Sequence, residues 1–124
     1  MNALTLAYLG DSIYEINIRS FLIKKGIVKV NELQKEAVKY VSAKGQAQYL
    51  MKMIKENMFT EEELTIIKRA RNHKVLSHPK NTAIVTYKLA TGLEALIGHL
   101  YLEKNNERIQ EIMSYITKQK QMEE

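Results

Sequence analysis

Proline occurs once in 124 residues, at Pro79, and glycine five times, so little in this chain interrupts a helix. Apolar residues recur at helical rather than alternating spacing, which selects an all-α fold over a sheet. From Leu4 to Lys25 the stripe runs through Leu6, Leu9, Ile13, Ile16 and Leu22, and Lys24, Lys25 and Gly26 read as its C-terminal turn. Asn31 is placed to cap a second helix to about Tyr40, with Leu33, Ala37, Val38 and Val41 as its apolar positions. Ser42 is placed to cap a third, through Tyr49, Leu50, Met53 and Ile54. Thr60 with Glu63 forms a capping box, and the acids at 61–63 suit the positive end of a helix running to about Asn72. Residues 73–80, with Pro79, read as a loop. Asn81 or Thr82 then opens a long helix to about Glu103, and a last helix covers Asn106 to about Lys118. The expectation is one all-α domain over residues 1–124, with about six to seven helices.

Several function classes fall away at once. No apolar run approaches the roughly 20 residues that a membrane span needs. The N-terminus lacks the charged, apolar and small-residue regions of a signal peptide, which makes the cytoplasm the expected location. The absence of cysteine excludes disulfides, thiolate metal ligands and cysteine nucleophiles together. Charge is more telling. Nineteen Lys and Arg stand against fourteen Asp and Glu, a net +5. The stretch KRARNHKVLSHPK holds Lys68, Arg69, Arg71, Lys74 and Lys80 with no acid, and without those cations the chain is neutral. A neutral body with one basic segment points to an anionic partner that docks there, although a solvated basic loop has the same pattern.

Two acids stand apart from the rest. Asp11 is the only aspartate, set among Leu6, Leu9, Ile13 and Ile16. Glu94 is the only acid between Glu63 and Glu103, in a run of small and apolar residues. Acids are excluded from such surroundings unless something pairs with them. Two carboxylates on different helices suit one divalent cation such as Mg²⁺, which takes one or two carboxylates and fills its other positions with water and substrate phosphate. Plainer roles remain open. Asp11 is also placed as an N-cap, with Ser12 and Glu15 as a capping box, and Glu94 could pair with Lys88, Arg69 or Arg71. Gly92 and Gly98 flank Glu94 inside a helix, and a tight helix–helix contact is the expected reason for them.

The segment LAYLGDSIYE resembles the ribonuclease III signature, whose Leu-Gly-Asp core lies in a helix and whose aspartate binds the catalytic metal. ATGLEALIGHLYLE resembles that family's second motif, in which a Glu-Ala-(apolar)-Ile-Gly core supplies a second metal-binding carboxylate. YVSAKGQAQ around Ser42 and the RARN segment ending at Asn72 are weaker markers of the same kind. The length of about one catalytic domain, with no appended double-stranded-RNA-binding domain, is similar to the Mini-III branch. The departures lie in the acidic cluster: Ala7 and Leu4 stand where the family has acids upstream of its aspartate, and Thr91 where it has one before its glutamate. The Mini-III branch resembles this chain in that reduction.

The resemblance implies a metal-dependent endoribonuclease that hydrolyses double-stranded RNA to 5′-phosphate and 3′-hydroxyl ends, with Asp11 and Glu94 as its catalytic, metal-binding acids. It implies Mg²⁺, with Mn²⁺ as a substitute, and a homodimer in which Tyr8, Ile13 and Tyr14 of the first helix are interface candidates. It also implies maturation of precursor 23S ribosomal RNA, with a large-subunit ribosomal protein as a further partner. Lys68, Arg69, Arg71, Asn72, Lys74 and Lys80 are the expected RNA contacts, in place of the missing domain. His73, His78 and His99 are assigned no proton-transfer role. A non-catalytic double-stranded-RNA-binding module that kept the fold is the rival reading, on the strength of Ala7, Leu4 and Thr91.

Overall fold

In the computed structural model the described residues are 1–73, 80 and 82–123, with side chains described to Lys118. They form six α-helices and no strand: α1 (Ala3–Lys24), α2 (Val30–Val41), α3 (Ala43–Lys55), α4 (Glu61–Arg71), α5 (Ile84–Leu102) and α6 (Asn106–Glu123). The all-α expectation is met, at the lower end of the expected helix number.

Helix ends follow local chemistry more closely than the apolar stripes do. Asn2 caps α1 by accepting from the Leu4 N–H at 2.7 Å. Ser42 ends α2 and starts α3, its Oγ accepting from Gly45 N–H at 3.1 Å. The capping box of Thr60 and Glu63 is fully formed. Three helices close in the same way, on Gly26, Asn57 and Lys104 with positive φ. In each, the next residue's N–H bonds back five residues, as in Ile27 to Leu22, Met58 to Met53 and Asn105 to Leu100.

Three expected boundaries move. Helix α2 starts two residues early, with Lys29 at the cap position and no side-chain cap, so Asn31 lies inside its first turn. Helix α5 starts at Ile84 behind Ala83, so Thr82 precedes it without capping it, and Asn81 lies outside the described residues. Helix α6 continues past Lys118 to Glu123, because residues 118–123 are all good helix formers with no breaker among them.

Helix α5 is the centre of the molecule. Leu93, Leu96, Ile97 and Leu100 are buried on several of its sides, and α1, α3, α4 and α6 pack around it. A helix apolar all round belongs in a core. The burial of α1 corrects the expected stripe. Its inner face is Ala3, Ala7, Gly10, Tyr14, Ile18 and Leu22, while Leu6, Leu9 and Ile13 sit half-buried at its edges and Ile16 is exposed. Small residues hold the inner face up to Gly10 because they allow α1 to approach α5 more closely there. A separate small core of Ala3, Ala7, Ala70 and Ala95 marks where α1, α4 and α5 meet.

Candidate active site

Backbone touches backbone where α1 crosses α5. A Cβ added to Gly10 would overlap the carbonyl oxygen of Glu94 and stand 2.9 Å from the amide nitrogen of Gly98. A Cβ added to Gly98 would overlap the carbonyl oxygen of Leu6 and lie 3.2 Å from the nitrogen of Gly10. Each motif glycine therefore serves as the other's seat. Gly92 has a similar role on the opposite flank, where a Cβ would lie 3.1 Å from the Ile67 carbonyl oxygen. The expected tight contact at Gly92 and Gly98 is present, and Gly10 is a third member that pattern reading passes over.

The crossing brings Asp11 and Glu94 together. Asp11 follows Gly10 in the middle of α1 and is exposed, so it caps nothing, and Glu15 pairs with Arg19 instead of closing a capping box. Glu94 is half-buried and hydrogen-bonds with Asp11. It also accepts from Gln46 Nε2 at 3.3 Å. Burial first, then the hydrogen bond and charge of Asp11, push the Glu94 carboxyl up to about 8, and only the Gln46 amide opposes this. Among the described residues no cation contributes to that balance, so Lys88, Arg69 and Arg71 are not its partners. Behind it Tyr14 is fully buried, its hydroxyl donating to the Tyr40 carbonyl at 2.8 Å. Burial, together with Tyr49, Glu94 and Tyr40, pushes that phenol up as well. Tyr14 is thus a wall of the site, which removes it from the expected interface residues.

The surroundings suit a hard divalent cation. Two carboxyls meet with no counter-charge, and Gln46 Oε1 is buried without a hydrogen-bond partner among the described residues. Oxygen atoms of this kind are what Mg²⁺ or Mn²⁺ takes, directly or through water. Among the described residues no group of three or more Asp, Glu, His or Cys forms a larger cluster. Packing accounts for two of the three departures, Leu4 being exposed. Ala7 lies in the close-packed alanine core, where a longer acid would not fit. Thr91 is buried with its hydroxyl donating to the Tyr87 carbonyl at 2.9 Å.

The expected RNA contacts divide. Lys68, Arg69 and Arg71 form the last turn of α4 and Asn72 its cap, at the end of the helix expected to run to about Asn72. Lys68, Arg69, Asn72 and Lys80 are exposed and Arg71 is half-buried. Lys74 and His78 lie outside the described residues. His99 faces a cleft of about 550 Å³ with Arg69, and its Nε2 is 3.8 Å from Glu62 Oε1. Five residues beyond Glu94, it points about 140° away around the helix. Gln46 is the site residue that pattern reading misses. A signal for it exists: Gln46, Tyr49, Leu50 and Met53 share one helical stripe, and the polar member of a buried stripe needs a reason.

Fold and paired carboxyls together define a ribonuclease III-type catalytic domain. The Ribonuclease III domain profile matches residues 4–105. The chain is 45% identical over 118 residues to Mini-ribonuclease 3 of Enterococcus faecalis, covering 95% of this chain and 89% of that one. It is 50% identical over 112 residues to Mini-ribonuclease 3 of Brevibacillus brevis, covering 90% and 82%. A crystal structure of a Fusobacterium nucleatum protein, 38% identical, superposes with a TM-score of 0.86 over 97% of this chain and 94% of its own. The chain belongs to the ribonuclease III family, in its Mini-ribonuclease branch, and is an endoribonuclease of double-stranded RNA. No helix among the described residues is long and apolar enough to cross a membrane.

Proposed function

We propose that the chain, acting as one catalytic domain over residues 1–124, cuts duplex RNA at Asp11 and Glu94, which hold Mg²⁺ or, in its place, Mn²⁺. The observation that carries this is their convergence at a crossing built by Gly10 and Gly98, with no cation among the described residues to neutralise them. Bound there, a divalent cation would lower the pKa of water and stabilise charge building on the phosphate. Exposed Asp11 meets the solvent side from which a phosphate arrives, and half-buried Glu94 anchors the inner side. Neither residue moves a proton in the reaction.

Lys68, Arg69, Arg71, Asn72, Lys74 and Lys80 contact the RNA backbone. Helix α4 supports this by segregating its charge, with acids in the first turn and cations in the last. Recognition then rests on shape, phosphates and 2′-hydroxyls, since A-form RNA hides its major groove. A second copy packs on the outer face of α1 to make a homodimer. There Tyr8 and Ile16 are exposed, and Ile13 lines an apolar groove with Leu9, Tyr101 and Ile109. The substrate we infer from the family resemblance is precursor 23S ribosomal RNA in the cytoplasm, with a large-subunit ribosomal protein presenting it.

The test is cleavage of a long labelled RNA duplex with Mg²⁺ or with EDTA, by the parent and by Asp11→Asn. Cutting that needs the metal and is lost in the variant supports the site. A duplex that stays intact but is retarded on a gel would instead favour a binding module, and full activity of Asp11→Asn would place the site elsewhere.

A further inference from the structure

Gln46 is 2% exposed, on the face of α3 turned to α5, and its amide is only half satisfied. Nε2 donates to the Val41 carbonyl at 3.0 Å and to Glu94 Oε2 at 3.3 Å. Both partners are acceptors, so the nitrogen must face them and the amide orientation is settled by the network. That leaves Oε1 buried, beside the carboxyl pair, with no donor among the described residues. A buried acceptor left unsatisfied costs about 1–3 kcal/mol, and folding alone gives no reason to keep one on a stripe with Tyr49, Leu50 and Met53. The helix bearing it is held in place closely: a Cβ on Gly45 would overlap the Lys39 carbonyl oxygen, and Ser42 caps the same turn. Gln46 is thus carried to Glu94 on a rigid element, tied to the backbone on one side.

We propose that Gln46 is a positioning residue of the cleavage site: it holds the Glu94 carboxyl through Nε2 and offers Oε1 to the hydrated divalent cation. This rests on the assignment of Asp11 and Glu94 as the metal-holding pair. Partners behind metal ligands are worth about 10- to 100-fold in affinity or activity when removed. A residue serving only to fill the core would change stability and leave metal affinity untouched.

The experiment titrates Mn²⁺ into RNA-free parent, Gln46→Met, Gln46→Asn and Glu94→Gln proteins by calorimetry, and measures kcat and KM on duplex RNA for each. Gln46→Met keeps volume and loses both polar groups. The expected result is Mn²⁺ binding weakened about tenfold or more and kcat lowered about 10- to 100-fold. KM should stay close to that of the parent, and Gln46→Asn should fall between the two. Parent-like Mn²⁺ affinity and kcat in folded Gln46→Met overturn the proposal. If Gln46→Met does not fold, Gln46→Asn decides on the same terms, unchanged affinity overturning it. The Glu94→Gln arm separates the two claims. Metal binding lost there but kept in the Gln46 variants defeats Gln46 alone, while metal binding kept in Glu94→Gln defeats the carboxyl pair and this inference with it.

Discussion

Two glutamates are drawn into the interior of this protein, and they are treated in opposite ways. Glu63, 7% exposed at the start of α4, receives Arg108 of α6 in a two-pronged pair at 2.8 and 2.9 Å. It also accepts from the Thr60 backbone, and Arg108 goes on to the Met58 carbonyl at 2.7 Å. Burial would raise its carboxyl, but the Arg108 hydrogen bonds, the Thr60 N–H and the Arg108 charge outweigh that and hold it below the ordinary 4.5. Glu94 receives a second acid in place of an arginine, and its carboxyl rises. One acid is neutralised and fastens α6 to α4. The other faces a second acid with no cation beside it among the described residues, in the place where the family motifs meet. The contrast in charge sets a paired structural acid apart from the acid proposed to hold the metal.

The largest expected effect breaks the structural side. Arg108→Ala strands Glu63 without its counter-charge and should cost about 3–5 kcal/mol, read by urea unfolding at pH 7. The sign of its pH dependence follows from the lowered carboxyl. The stabilisation is complete above the unfolded value of 4.5 and fades as pH falls through the lower folded one, so parent and variant should converge in acid. A gap that stays constant down to strong acid would mean that packing, not charge, carries the effect. Next comes the seat of the functional acid. Gly10→Ala forces α1 off the Glu94 carbonyl and should cost about 1–3 kcal/mol or more, with cleavage falling by more than stability explains. Parent-like cleavage would show that the crossing does not position the carboxyls. The smallest effect on folding comes from the proposed RNA-contacting cations. Replacing Arg69, Arg71 and Lys74 together should shift stability within about 0.5 kcal/mol. It should also flatten the salt dependence of RNA binding, by about 0.7–0.9 logarithmic units for each phosphate that is no longer neutralised. An unchanged slope would move the RNA to another face.

Much of this is legible in the sequence, for reasons that differ from residue to residue. The caps at Ser42 and Thr60 are local, so a few neighbouring residues determine them. Asp11 and Glu94 stand out because an acid in an apolar run violates a strong preference. The inner face of α1 is not legible by hydrophobicity, because α1 meets α5 through alanine and glycine and turns larger residues such as Tyr8 and Ile16 outward. Close approach depends on the partner helix, which no single stripe encodes. The Glu63–Arg108 pair joins residues 45 apart in sequence, beyond the reach of any helical spacing. Tyr14 reads as an interface residue for the same reason, since the carbonyl that holds it inside is on α2.

The central claim is that Glu94 is kept for chemistry at a cost to folding, and one variant examines both halves. Glu94→Gln copies the protonated side chain, keeps an acceptor for Gln46 and removes a charge that must otherwise form in a half-buried site. In metal-free protein the raised carboxyl means that stability falls as pH rises from 4.5 towards about 8. Thermal unfolding in EDTA should therefore show the variant more stable at pH 8, by roughly 2 kcal/mol once solvent screening is allowed for, and equal to the parent below pH 4.5. The same preparation should leave an RNA duplex uncut in Mg²⁺. A variant that melts earlier than the parent at pH 8, or that still cuts, would contradict the account.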